Sequence, residues 1–352
     1  MAKTMIWGLL YQCSYLWYFS VNKYRSKVFV LFPILFFWIM IFSLRRESYG
    51  EDIKYYYYIF LHPERYYLDE YGLYYFNIAL RWVTTEYFWF SLSYSVLINS
   101  LLVILYRILD RKLSMLLFLY VCSTFIYYQI NLNIFRQGVA VLLVLISIAI
   151  FHKHFFYSCM ILLLAIFFHK AAIISVVFIF FSRFQFKKIY ILPVLVLSFF
   201  PIGATFYSHI AVIIGKFIPI MERTLTAYVE MAQQGLISSS ELNHRNLPML
   251  ITSLLFFKID IQKNKKNNSL FWVYFLSLGI SALLSNNVLL YDRVIIFSQI
   301  LQPYLFLICC KAYFSHRWLL PYIMTAVLQF IFTIYIWGPQ NLLPSFEFYQ
   351  LF

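Results

Sequence analysis

Residues 131–182 read NLNIFRQGVAVLLVLISIAIFHKHFFYSCMILLLAIFFHKAAIISVVFIFFS. Three continuous apolar runs, 137–151, 155–168 and 171–182, are broken only by the polar triplet 152–154 and by His169-Lys170. Neither the two-residue alternation of a barrel strand nor a polar helix stripe is present, so each run reads as a helix apolar on all sides. Such helices are at home in lipid, where every backbone group must be satisfied within the segment. Working outward, the pattern repeats over the whole chain. Of 352 residues 63% are hydrophobic, 22% aromatic and only 12% charged. A soluble core saturates well before that composition, which excludes a soluble domain.

A crossing takes about 20 apolar residues, fewer where flanking groups snorkel. The runs predict helices near 5–21, 28–44, 87–106, 113–130, 137–151, 155–168, 171–182, 189–207, 247–259, 269–286, 294–310 and 318–337. The fold class expected is therefore an all-α polytopic transmembrane bundle of about twelve spans, forming one domain over 1–352. The first run lacks a small-residue cleavage site and reads as a retained helix. Two long connections, 45–86 and 208–246, fall on the same side and are expected to carry interfacial helices. In the second, Met221, Leu225, Tyr228, Val229 and Ala232 recur at helical spacing. It suits a lid or a helix packed on lipid headgroups.

Charge sets the orientation. Sixteen of the 28 lysines and arginines lie in one set of alternate connections, with only Asp110 and Asp260 against them; the other face holds twelve bases and twelve acids. All of the net +14 thus sits on one face, which the positive-inside rule makes cytoplasmic, and both termini face out. The bases are spread over short turns with no contiguous patch, so they serve topology and anionic membrane lipids and not nucleic acid. The five cysteines show neither a disulfide framework nor metal-ligand spacing.

The balanced face is where chemistry is sought. Arg45 and Arg46 close the second helix, Arg136 opens the fifth, His169 joins the sixth and seventh, Arg245 precedes the ninth, and Arg293 follows Tyr291-Asp292 at the eleventh. Each alone reads equally as a snorkelling residue. Together, at one depth, they suit a polyanionic ligand. The loop 45–86 also holds Tyr55, Tyr56, Tyr57 and Tyr58 in a row, either a headgroup belt or a platform for stacking sugars.

These residues resemble the EpsG-like branch of the Wzy-type polysaccharide polymerases of bacterial envelopes. The likeness covers most of the chain. It rests on Arg45 or Arg46 followed by Gly50-Glu51-Asp52 and Tyr55-Tyr56, then Glu70-Tyr71-Gly72, Arg136-Gln137-Gly138, His169-Lys170-Ala171 and a late Arg293. Glu51, between the glycine and the aspartate, departs from the small polar residue expected there. The resemblance implies oligosaccharide repeat units linked by diphosphate to undecaprenol. It implies a transfer on the periplasmic side of the inner membrane, moving the growing glycan onto the next lipid-linked unit; the chemistry is expected to need no metal and no cofactor. A chain-length regulator of the Wzz type and a flippase of the Wzx type are the implied partners.

Such a transfer needs cations on the leaving diphosphate and a base for the acceptor hydroxyl. Arg136 and Arg293 are the expected clamps. Arg45, Arg46, Arg245, Gln137, Glu70, Tyr55, Tyr56 and Tyr291 are the expected substrate contacts. His169 is the expected base, followed by Asp52 and then Glu70; the rival role for His169 is capping helix carbonyls. No D-x-D pair or His/Asp cluster is present in the sequence to suggest a metal. A flippase for the same lipid would also want arginines in a cavity, though with polar groups near mid-membrane, where this chain is apolar. An O-antigen ligase would look alike at this level, whereas a membrane acyltransferase would normally place its histidine elsewhere, facing a cytoplasmic thioester donor.

Overall fold

A computed structural model describes residues 2–21, 28–45, 52–65, 70–199, 226, 230, 247–257, 259, 265–285 and 287–337. Among them there are fifteen α-helices and no strand. Most of the stretch 208–246, with Arg245, and the position Arg46 lie outside the described residues. The chain divides into two compact units, one of 1–172 with 314–352 and one of 173–313.

The first unit holds α1 (Ala2–Ser20), α2 (Val28–Ser43), α3 (Ile53–Leu61), α4 (Tyr71–Arg81), α5 (Tyr87–Leu109), α6 (Ser114–Val121), α7 (Phe125–Leu132), α8 (Phe135–Ile150), α9 (Phe155–Phe168) and, from the far end of the chain, α15 (Leu319–Trp337). Helix α15 returns against α1, where Tyr11 and Phe330 stack at 4.1 Å. Helices α8 and α9 form an antiparallel hairpin locked by small polar residues. Ser147 Oγ donates to the Ser158 carbonyl and Ser158 Oγ to the Ser147 carbonyl, both at 2.9 Å. Reciprocal bonds of this kind hold apolar helices together where the hydrophobic effect does not distinguish lipid from protein. The hairpin brings Arg136, at the start of α8, to the same end as His169, after α9.

The run expected as one helix over 113–130 is a bent pair, with α6 and α7 meeting at 81°. The break at Ser123-Thr124 is stabilised by the side chains themselves. Ser123 Oγ donates to the Tyr120 carbonyl and Thr124 Oγ1 to the Val121 carbonyl, both at 2.6 Å, while Thr333 bonds the Ser123 carbonyl. Hydroxyls thus satisfy carbonyls that a continuous helix would have occupied. Pattern reading missed the break because an apolar run looks the same straight or bent.

The second unit holds α10 (Ser175–Ser182), α11 (Ile191–Phe199), α12 (Leu247–Phe256), α13 (Lys265–Leu283) and α14 (Val288–Phe314). The expected helix 171–182 starts as a 3-10 turn over Lys170–Ile174. The one expected from 294 begins at Val288, so Arg293 lies inside it.

By length and composition, Tyr87–Leu109 and Leu290–Arg317 can each cross a membrane, and the bent α6–α7 pair is a third candidate; shorter apolar helices accompany them. A 23-residue helix is about 35 Å long, enough for a hydrocarbon core of about 30 Å. The architecture is that of a helical membrane protein. The loop 45–86 folds into α3 and α4, and α3 places the four tyrosines on different faces. Tyr56 is buried with Ile53, Ile59 and Phe60, while Tyr55 and Tyr58 are exposed.

Candidate active site

The site is assembled from three segments far apart in sequence. Glu70 occupies the N-cap position of α4, yet its carboxylate makes no capping bond. Instead, Glu70 Oε1 lies 2.6 Å from His169 Nδ1, and Glu70 Oε2 accepts from Arg136 Nη1 at 2.5 Å. An ionised carboxylate only accepts, so His169 carries its proton on Nδ1 and, when neutral, its lone pair on Nε2.

Local sequence explains the docking. His169 is the C-cap residue of α9, with extended backbone and its N–H on the Ala165 carbonyl. Gly72, two residues after Glu70, lies against that helix end. A Cβ on Gly72 would sit 2.9 Å from the carbonyl carbon of Phe167 and 3.0 Å from the Phe168 nitrogen. Only hydrogen fits, and the close approach lets the Glu70 carboxylate reach the imidazole. A parallel device serves Arg136: a Cβ on Gly138 would meet Ile130 Cβ at 2.9 Å, so α8 starts tightly across α7.

Arg136 is also held by Tyr56. Its Nε donates to Tyr56 Oη at 3.3 Å, and its guanidinium lies 5.3 Å from the centre of that ring. The side chain keeps 20% exposure, against 7% for Glu70. The fork is thus planar, oriented and partly open, as an anion-binding guanidinium requires. Burial pushes the Glu70 carboxyl upward, but the His169 hydrogen bond and the Arg136 charge outweigh it and leave the group below its ordinary value.

The remaining predicted residues are placed as follows. Asp52 is the exposed N-cap residue of α3, one turn from Tyr56; Tyr55 is exposed beside it, and Gln137 is buried next to Arg136. Arg45 is 2% exposed, with Nη1 on the Asn131 carbonyl and Nε on Tyr87 Oη. In the second unit, Tyr291 is buried and Arg293 half-buried near the start of α14. Among the described residues no three His, Cys, Asp or Glu side chains converge as a metal site would require.

The sequence reading had Glu70, Arg136 and His169 as separate candidates and missed that one carboxylate joins them. Tyr87, Asn131 and Phe135 were missed altogether. One signal was available: both Glu70 and Arg136 stand two residues before a glycine, and each glycine marks a close helix approach.

The family model described as the EpsG family matches residues 9–349, nearly the whole chain. No curated protein and no solved structure matches it.

Proposed function

From the membership of this chain in the EpsG family, a Wzy-like polysaccharide polymerase family, we propose that it polymerises undecaprenyl-diphosphate-linked repeat units at the periplasmic face of the inner membrane. The observation that carries this reading is the Glu70 bridge between His169 and Arg136. The growing glycan passes from its lipid diphosphate to the non-reducing end of the next lipid-linked unit. About twelve spans, oriented by the cytoplasmic bases, put the three residues on the outer face.

In this mechanism the acceptor hydroxyl oxygen attacks the anomeric carbon of the donor. The bond from that carbon to the diphosphate oxygen breaks, and its electron pair leaves with the lipid diphosphate. The hydroxyl proton goes to His169 Nε2. Glu70 holds the imidazole in the accepting tautomer and stabilises the imidazolium that forms. The charge balance suits the step. Glu70, Arg136 and neutral His169 sum to zero before transfer and to +1 after it, as the leaving diphosphate gains negative charge. Arg136 faces that charge with its open edge, and Arg293 remains a candidate clamp. Asp52 remains the reserve base, and Arg46 and Arg245, with Gln137, Tyr55, Tyr56 and Tyr291, remain candidate substrate contacts. A Wzx-type flippase delivers the units and a Wzz-type regulator sets chain length.

The test is complementation of cells deleted for this chain, with the envelope glycan resolved on a gel. Wild-type protein restores the ladder, and H169A and E70Q leave a single repeat unit. Long unattached chains in the deletion strain would indicate a ligase, and absence of any exported unit a flippase. Normal ladders from H169A would remove the histidine from the mechanism.

A further inference from the structure

Arg45 is a buried guanidinium, and among the described residues no carboxylate pairs with it. An apolar residue would be cheaper at such a position. Its neighbours explain its presence. Arg45 Nη1 donates to the Asn131 carbonyl at 2.6 Å, one of the last carbonyls of α7, which have no partner within the helix. A cation there also complements the negative end of the helix dipole. The same guanidinium lies 5.4 Å from the centre of the Phe135 ring, the first residue of α8. Arg45 therefore grips both sides of the turn between α7 and α8, and Arg136 projects from that turn.

The grip continues to the site. Phe135 packs on Tyr56 with ring centres 5.5 Å apart, and Tyr56 accepts the Arg136 Nε–H. From the other side, Tyr87 accepts the Arg45 Nε–H at 3.3 Å. The α7 end is itself fixed: Asn99 Nδ2 donates to Asn131 Oδ1 and Tyr127 donates to Asn99 Oδ1. We infer that Arg45 is a positioning residue, which staples the α7–α8 turn so that Arg136 meets Glu70 and Glu70 meets His169. This rests on the proposed polymerase reaction and moves Arg45 from substrate contact to support.

The test uses full-length protein in phospholipid vesicles, with the lipid-linked repeat units extracted from cells lacking the chain as substrate. R45M is expected to lower the extension rate about tenfold, and Y87F, which removes one acceptor, about threefold. Neither lowers it further in an R136A background, because Arg45 acts through Arg136; losses that multiply there overturn the inference. The acid limb of the pH–rate profile moves down by about half a unit in R45M, because a carboxylate drawn off the imidazole favours its protonated form less. A general loss of folded protein scales the profile without moving it, and an unmoved limb counts against the inference. A second readout needs no turnover: peptide mapping after diethyl pyrocarbonate treatment, in which His169 modification rises about fivefold in R45M. An unchanged rate there overturns the positioning role. Should R45M fail to reach the membrane, Y87F decides the question by the same measurements. A ladder that persists in cells deleted for the chain would overturn the proposed function, and normal polymerisation by H169A only the role of the histidine, while the modification arm judges Arg45 in either case.

Discussion

Replacing Glu70 by glutamine tests the core of the site with the smallest change in shape. The carboxylate spends one oxygen on Arg136 at 2.5 Å and the other on His169 at 2.6 Å. Glutamine has one acceptor oxygen, so it serves only one of them. If the oxygen stays on the guanidinium, the amide NH2 faces Nδ1, which must then accept. The imidazole proton moves to Nε2, and the lone pair needed for the acceptor hydroxyl is lost. Loss of an oriented base lowers the rate by about 10²–10⁴. Stripping one partner from a fully buried pair costs about 3–5 kcal/mol, and the 20% exposure of Arg136 lets water reduce that to about 2–3 kcal/mol. That is a large fraction of a usual folding stability of about 5–15 kcal/mol, but it leaves the protein folded. Initial extension rates in vesicles, with melting temperature in detergent as the control, separate the two effects. A rate within twofold of wild type would refute both the tautomer argument and the role of the dyad.

Other outcomes follow from the same geometry. Gly72→Ala pushes a methyl group onto the Phe167 and Phe168 backbone, so α4 and α9 must separate by about half an ångström at a cost of about 1–3 kcal/mol; polymer on the gel should drop sharply while the protein stays in the membrane. Arg136→Lys keeps the charge but loses the Nε bond to Tyr56 and the fork, and a rate reduced about tenfold is expected; wild-type activity would mean that plain charge suffices. The pH dependence of melting has a definite sign. The Glu70 carboxyl lies below its ordinary value of 4.5, so its contribution is complete above that pH and fades as pH falls through the lower folded value. Melting curves of the wild type should therefore fall more steeply below about pH 4.5 than those of E70Q, and parallel curves would contradict the pairing.

Much of the architecture was legible from the chain alone because solvation acts locally. The runs 137–151 and 155–168 announce helices without reference to any other part of the chain, and α8 and α9 fall where those runs are. The bend at Ser123-Thr124 was not legible, since hydroxyls that rescue a broken helix are indistinguishable in sequence from hydroxyls inside a straight one. The candidate residues were visible as ionisable groups at the ends of apolar runs, where they are costly enough to stand out. Their partnerships were not. Glu70 and His169 are 99 residues apart, and Glu70 and Arg136 are 66 apart. Whether they touch depends on how closely α4 approaches the end of α9. Arg45 shows the limit most plainly, since it looks like any other arginine at a helix end until the α7–α8 turn closes around it. Composition, each residue answering to its own surroundings, determined that this is a helical membrane protein. Only the crossing of helices, set by a missing Cβ at Gly72 and another at Gly138, decided which of its charged groups meet.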